Sequence, residues 1–157
     1  MSLLAKSQVI TSIDLWSAYT SQIVLWSSAE DISLPSIIIA GLPDGAIIIR
    51  AVMMLKYRTI ENTSENGNNI SGGQNIQAQK AVDGSWITGI ALEGDECSVP
   101  ATTRETGDVM MGTDDISGQV PVNGAEMNFQ WTEGQVADDG LIFNDIQVGL
   151  RIWFIVY

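Results

Sequence analysis

Apolar and polar residues alternate with a period of two over two long stretches of this chain, and each stretch predicts a β-strand. The first covers residues 46–60, AIIIRAVMMLKYRTI. Ile47, Ile49, Ala51, Met53, Leu55 and Tyr57 share one side, almost wholly apolar, which assigns that side to a core. Ile48, Arg50, Val52, Met54, Lys56 and Arg58 share the other, which is mixed. The second stretch covers residues 141–157. Ile146, Val148, Leu150, Ile152, Phe154 and Val156 fall on one face. Asp145, Gln147, Gly149, Arg151, Trp153, Ile155 and Tyr157 fall on the other. The alternation is too strict for a helix and predicts a strand that ends inside its sheet.

The remaining segments are shorter. Residues 6–17 place Val9, Thr11, Ile13 and Leu15 on one face, and residues 22–27 give a second strand with Ile23 and Leu25 inward. Pro35 interrupts the run that follows the polar break at 29–31. Residues 37–40 lead through Gly41-Leu42-Pro43-Asp44-Gly45 into the first long strand, and the pair predicts a hairpin. Pro43 fixes its own φ there, and Gly45 is free to adopt a positive φ. Residues 75–80 alternate with the polar content expected of an edge strand. Residues 83–86 read as a turn. Residues 86–92, WITGIAL, fit a strand broken at Gly89 better than a short helix capped by Asp83 or Ser85. A short strand is expected at 109–111. Ala125, Met127, Phe129 and Trp131 alternate with Glu126, Asn128 and Gln130. Residues 134–140 form an acidic turn, and 93–118 are acidic without a clear period.

Seven to nine strands, Gly- and Asn-rich connections and no long helix predict an all-β fold: an antiparallel β-sandwich, jelly-roll-like, in a single domain over residues 1–157. No internal repeat is present.

Charge then narrows the function. Seven basic and 19 acidic residues give a net charge of −12, with no histidine. Such a surface repels nucleic acid and anionic membranes. The N-terminus lacks the basic start, apolar run and cleavage site of a signal peptide, and no stretch reaches the roughly 18 apolar residues of a membrane span. The expectation is a soluble intracellular product, in which the sequons at Asn62 and Asn69 are incidental. One cysteine, Cys97, excludes an intrachain disulfide.

The chemical inventory is thin. Without histidine neither a Ser-His-Asp nor a Cys-His arrangement can be built, and Cys/His zinc sites are excluded. Gly72-Gly73 lacks the strand-then-helix context and lysine of a phosphate loop. Cys97 lies beside Asp95 and Glu96, and neighbouring carboxylates raise a thiol's pKa, so an inert cysteine is expected. Calcium could be offered oxygens by Glu93–Glu96, Asp114-Asp115 or Asp138-Asp139, but none has the spacing of a calcium loop, and solvated acidic turns fit them better. No cofactor is expected. A pair of acids on facing elements would suffice for a histidine-free glycosidase, although 19 acids satisfy that spacing by chance.

Surface readings remain. Arg50, Lys56 and Arg58 share one face of an acidic chain, and that face also carries Ile48, Val52 and Met54, too apolar for open solvent. A second sheet or a neighbouring molecule is expected to cover it. Among the five tryptophans, Trp131 reads as core and Trp153 lies opposite the core face of the last strand, with Arg151 beside it. Trp16 and Trp26 each end a strand and fit core or surface. Flat aromatic faces also stack on sugar rings, so a jelly-roll-type glycan-binding module using tryptophans and the polar loop at 61–74 is the alternative. That loop reads otherwise as a solvated connection.

At residues 57–86, YRTIENTSENGNNISGGQNIQAQKAVDGSW, and at 143–157, FNDIQVGLRIWFIVY, the chain resembles small β-rich structural proteins of tailed-phage virions. With the strand at 46–60 the resemblance covers about half the chain, without a diagnostic motif. It implies a non-enzymatic virion protein, a capsid decoration or cement protein or another head-associated assembly protein, on the exterior of the head after synthesis in the host cytoplasm. Its partners would be copies of itself, as a homo-oligomer, and a major capsid or other virion protein. Arg50, Lys56, Arg58, Arg151 and Trp153 are the candidate interface residues.

Overall fold

The structure, a computed structural model, describes residues 8–25, 31–57, 59–62, 74–80, 82–92, 103–105, 109–132 and 141–157. Eleven strands lie among them: β1 (Thr11–Trp16), β2 (Thr20–Leu25), β3 (Asp31–Ile38), β4 (Ile47–Lys56), β5 (Thr59–Asn62), β6 (Gln74–Gln79), β7 (Trp86–Leu92), β8 (Thr103–Glu105), β9 (Met110–Met111), β10 (Glu126–Thr132) and β11 (Leu141–Ile155). The only helical element among the described residues is one 3-10 turn, Ser117–Gln119. The count exceeds seven to nine because the long runs are divided and very short strands pair at their margins.

The large sheet is built along β11. Its second half pairs with β1 on one side, from Thr11↔Phe154 to Trp16↔Gly149, and with β4 on the other, from Gln147↔Lys56 to Ile155↔Ile47. Its first half pairs with β2 and β5 in the same antiparallel sense. β9 extends the sheet beyond β4 and β8 extends it beyond β5, giving seven strands. All three central lines change partner at one level. β1 gives way to β2 after Trp16, β4 to β5 after Lys56, and in β11 Asp145 takes a left-handed φ of 52°. Ser17 bridges the gap beside it, donating its N–H to the Val148 carbonyl (2.9 Å) while its hydroxyl accepts from Val148 N–H (3.1 Å).

The second sheet has four strands in the order β3-β10-β6-β7, all antiparallel. The inner faces of both sheets share one core. Ala51, Met53 and Leu55 of β4 and Ile146, Val148, Leu150 and Ile152 of β11 meet Ile76, Ala78, Met127, Phe129 and Trp131 of the smaller sheet. The all-β sandwich read from the alternation is therefore the architecture, and Trp131, at 0% exposure, is core as expected.

Four local expectations are corrected. Residues 37–40 and β4 do not form a hairpin. β3 pairs with β10 and β4 with β11, so the turn at 41–45, with positive φ at Gly41 and Gly45, carries the chain from one sheet to the other. The parity of β4 holds only from Arg50 onward. A bulge opposite Trp153/Phe154 skips Ile49, so Ile48 turns to the core and Ile47 and Ile49 are left 48% and 41% exposed. Pro35 does not interrupt β3. It sits on an edge strand at the register shift opposite Asn128, where a missing N–H costs no ladder bond. β6 is not an edge strand but lies between β10 and β7, and its polar side chains are paired across the sheet.

Candidate functional site: the outer face of the large sheet

Sheet parity places Asp14 and Trp16 of β1, Gly149, Arg151 and Trp153 of β11, and Arg50, Val52 and Met54 of β4 on the face turned away from the core. Val52 and Met54 are each 1% exposed on this face. The Trp16 ring lies beside Met54 on the outer side of Gly149. The absence of a side chain at Gly149 is what admits it: a Cβ there would lie 2.7 Å from the Trp16 ring and 2.9 Å from the Met54 terminal methyl. The indole and the thioether thus meet over the glycine.

Beyond them the face becomes cationic. The Arg151 guanidinium grips Asp14 with two bonds, Nε to Oδ1 and Nη2 to Oδ2, both 2.6 Å, and its Nη1 reaches the Met111 sulfur at 3.9 Å. The charge-assisted bond from Arg151 holds the Asp14 carboxyl below the usual aspartate range, and Asp14 in turn raises the arginine. Two guanidiniums lie over the Trp153 ring, Arg50 Cζ 5.3 Å and Arg151 Cζ 6.0 Å from its centroid. Arg50 also faces Asp115. Partial desolvation would raise the Asp115 carboxyl, but bonds from the backbone N–H groups of Ala51 and Ser117, with Arg50 nearby, pull it lower.

The structure therefore brings three candidate interface residues, Arg50, Arg151 and Trp153, into one cluster. Lys56 lies at the far end of β4, opposite Gln147, and does not join it. Arg58 is outside the described residues. Sequence reasoning missed Asp14, Trp16 and Met111 as members. The parity of β1 offered the signal for the first two, but not the strand they would lie beside. Where the bulge turns β4 outward, exposed Ile47 and Ile49 continue the same face next to Arg50, and Tyr157 lies just past the end of β11 at 74% exposure.

The other candidates divide by position. Cys97, Glu93–Glu96, Asp138-Asp139, Trp26 and residues 63–73 of the polar loop lie outside the described residues. Asp115, a calcium candidate, is engaged by backbone N–H groups, and among the described residues no group of three or more His, Cys, Asp or Glu is placed to hold a metal. No described helix is long and apolar enough to cross a membrane. Between the 41–46 turn and residues 120–123 lies an open cleft of about 380 Å³ lined by Leu42, Pro43, Ile48, Val120 and Pro121 among others.

No protein-family model matches the chain, and no curated protein matches it. Solved structures from a virus and of two phage capsids align with it. The infectious bursal disease virus Gt strain structure aligns over 97% of this chain at 12% identity and TM-score 0.42, and the chain spans 38% of that protein's length. The capsid of Ralstonia phage GP4 aligns over 100% of this chain and 89% of its own, at 13% identity and TM-score 0.33. The acid-stable capsid of Helicobacter pylori bacteriophage KHP30 aligns over 93% and 94%, at 10% identity and TM-score 0.27. At TM-scores below 0.5 none of these alignments specifies this chain's function.

Proposed function

We infer that this chain is a non-enzymatic structural protein of a phage virion, a decoration, cement or other head-associated protein that works through protein–protein contacts. One observation carries the reading: the outer face of the large sheet presents Arg50, Arg151 and Trp153 next to exposed Ile47 and Ile49, in a chain of net charge −12. Arginine and tryptophan are the residues on which interface energy concentrates, and a contiguous apolar patch beside them marks a surface that is covered in the assembled state. The cluster offers guanidinium donors and an aromatic face but no nucleophile with a base beside it. A partner with acidic side chains around an apolar centre matches it, whether a second copy of this chain or a capsid subunit. The resemblance of residues 57–86 and 143–157 to tailed-phage virion proteins points the same way, to the exterior of the head.

The test compares wild type with Ile49→Asp and Arg50→Glu by light scattering across a concentration series and by co-sedimentation with heads of the encoding phage. The expected result is an oligomer or a head-bound protein in wild type and loss of that state in both variants at unchanged melting temperature. A wild-type monomer that does not sediment with heads refutes the reading.

A further inference from the structure

The outer face of the smaller sheet has a different chemistry. Asp31, Ser33, Ser36 and exposed Ile38 of β3, Glu126, Asn128, Gln130 and Thr132 of β10, Gln77 and Gln79 of β6, and Thr88 of β7 line it by register, with Trp86 at the margin opposite Gln79. The amides form two cross-strand rungs. In one, Gln130 Nε2 donates to Gln77 Oε1 (2.8 Å) and Gln77 Nε2 to the Thr88 hydroxyl (3.4 Å), while the Thr132 hydroxyl lies 3.0 Å from both Asp31 Oδ1 and Gln77 Oε1. In the other, Asn128 Nδ2 donates to Gln79 Oε1 (3.0 Å) and Gln79 Nε2 to the Gly84 carbonyl (2.9 Å). Ser36 donates to Glu126.

We propose that this face is a binding platform for a neutral glycan chain, with the Asn128–Gln79 rung addressing hydroxyl groups and Trp86 stacking on a sugar ring. The chemistry and geometry of the face carry it. A sugar hydroxyl both donates and accepts; planar amides supply both functions in fixed directions, and carboxylates accept. The rungs fix each amide in advance, so binding does not have to order long side chains. Asn128 is exposed on this face, whereas Gln130, 8% exposed, is buried and serves to hold Gln77. Trp86 is 36% exposed, which leaves ring surface available beside the amides. The carboxylates of Asp31 and Glu126, in a chain of net charge −12, select against sulfated or uronic-acid polymers. The site differs from the tryptophan-and-loop arrangement expected from sequence: Trp16, Trp131 and Trp153 lie elsewhere, and the amides, not the loop, supply the polar groups.

The proposal goes beyond the assembly role and concerns the opposite sheet, so each stands or falls alone. Full-length protein is titrated with cellohexaose, maltohexaose and chitohexaose, with polygalacturonate as the acidic control, by calorimetry and saturation-transfer NMR. The expected result is saturable binding of at least one neutral hexasaccharide, no binding of polygalacturonate, and a tenfold or greater loss of affinity in Trp86→Ala and in Asn128→Ala. Both sites are exposed, and an unchanged circular dichroism spectrum shows that the variants fold. Gly118→Ala, outside this face, keeps wild-type affinity. Absence of saturation with all three neutral sugars at 10 mM overturns the proposal, as does wild-type affinity in both variants.

Discussion

The two sheets meet edge to edge at a seam made of glycine, and that seam supports a graded prediction. Gly112, which follows β9, donates its N–H to the Met53 carbonyl of β4 at 2.8 Å. A Cβ on Gly112 would overlap the carbonyl oxygen of Gly89 in β7 and lie 3.1 Å from both the Gly89 carbonyl carbon and Ile90 Cγ1. A Cβ on Gly89 would in turn overlap the Met53 sulfur. The obstruction at Gly112 is backbone, which no rotamer change relieves, so Gly112→Ala must spread the seam or lengthen the bond to Met53. Overpacking of this kind costs about 3 kcal/mol, which for a chain of this length lowers the melting temperature by roughly 6–12 °C. Gly149→Ala meets only side-chain atoms of Trp16 and Met54, at 2.7–2.9 Å, which can shift, so about 1 kcal/mol is expected. Gly118 has no atom within 4 Å of its added Cβ, and Gly118→Ala should change stability by less than about 0.5 kcal/mol. Urea unfolding and calorimetry of the three variants give the order directly. A Gly112→Ala protein that melts within about 2 °C of wild type would refute the close approach of β7 to β4.

Two further outcomes follow from single groups. Asp14 has a folded-state pKa below its unfolded value, so its pair with Arg151 stabilises the fold above the unfolded pKa, and that contribution disappears as pH falls through the folded one. Asp14→Asn should therefore cost stability at pH 7, by at most about 1 kcal/mol because the pair is a third exposed. The difference from wild type should vanish in denaturant curves taken well below pH 4; a gap that persists there means that packing, not charge, links the two residues. At Asp145, Val should be less stable than Gly by about 1–2 kcal/mol, since only Gly adopts the left-handed φ of 52° without steric cost. Equal urea midpoints for the two variants would show that β11 runs straight through this position in solution.

Alternation along β11 and β10 was legible because each strand turns its apolar side chains into the core and its polar and mixed ones away from it, so side-chain parity reports directly on the core. It failed where one residue was inserted or one neighbour was misassigned. The bulge at Ile49 reverses the parity of a run whose composition, three consecutive isoleucines, is the same on either phase. The supposed hairpin at residues 37–60 had the right turn residues, but a turn with two positive-φ glycines serves equally to cross between sheets. The polar character of β6 suggested an edge because a lone strand gives no hint that Gln77 and Gln79 would find Gln130 and Asn128 some fifty positions away. The cluster around Trp153 was half legible for the same reason. Parity put Arg50, Arg151 and Trp153 on outer faces, but only the register of β1 and β4 against β11 makes them neighbours.

The apolar content of β4's outer side was the informative anomaly, and the structure divides it into two kinds. Val52 and Met54 are already buried, Met54 beside the Trp16 ring, so their burial belongs to the stability of the free protein. Ile47 and Ile49 are uncovered and adjoin Arg50. These two sets answer to different measurements. Truncating a buried residue such as Met54 opens a cavity beside the Trp16 ring and lowers the melting temperature whatever the state of assembly. Truncating an uncovered one removes little from the free fold, and its cost appears only where a partner has excluded water from that face. A face that served stability alone would need no second set, and the bulge that turns Ile47 and Ile49 outward supplies one beside the only aromatic ring with two guanidiniums over it among the described residues.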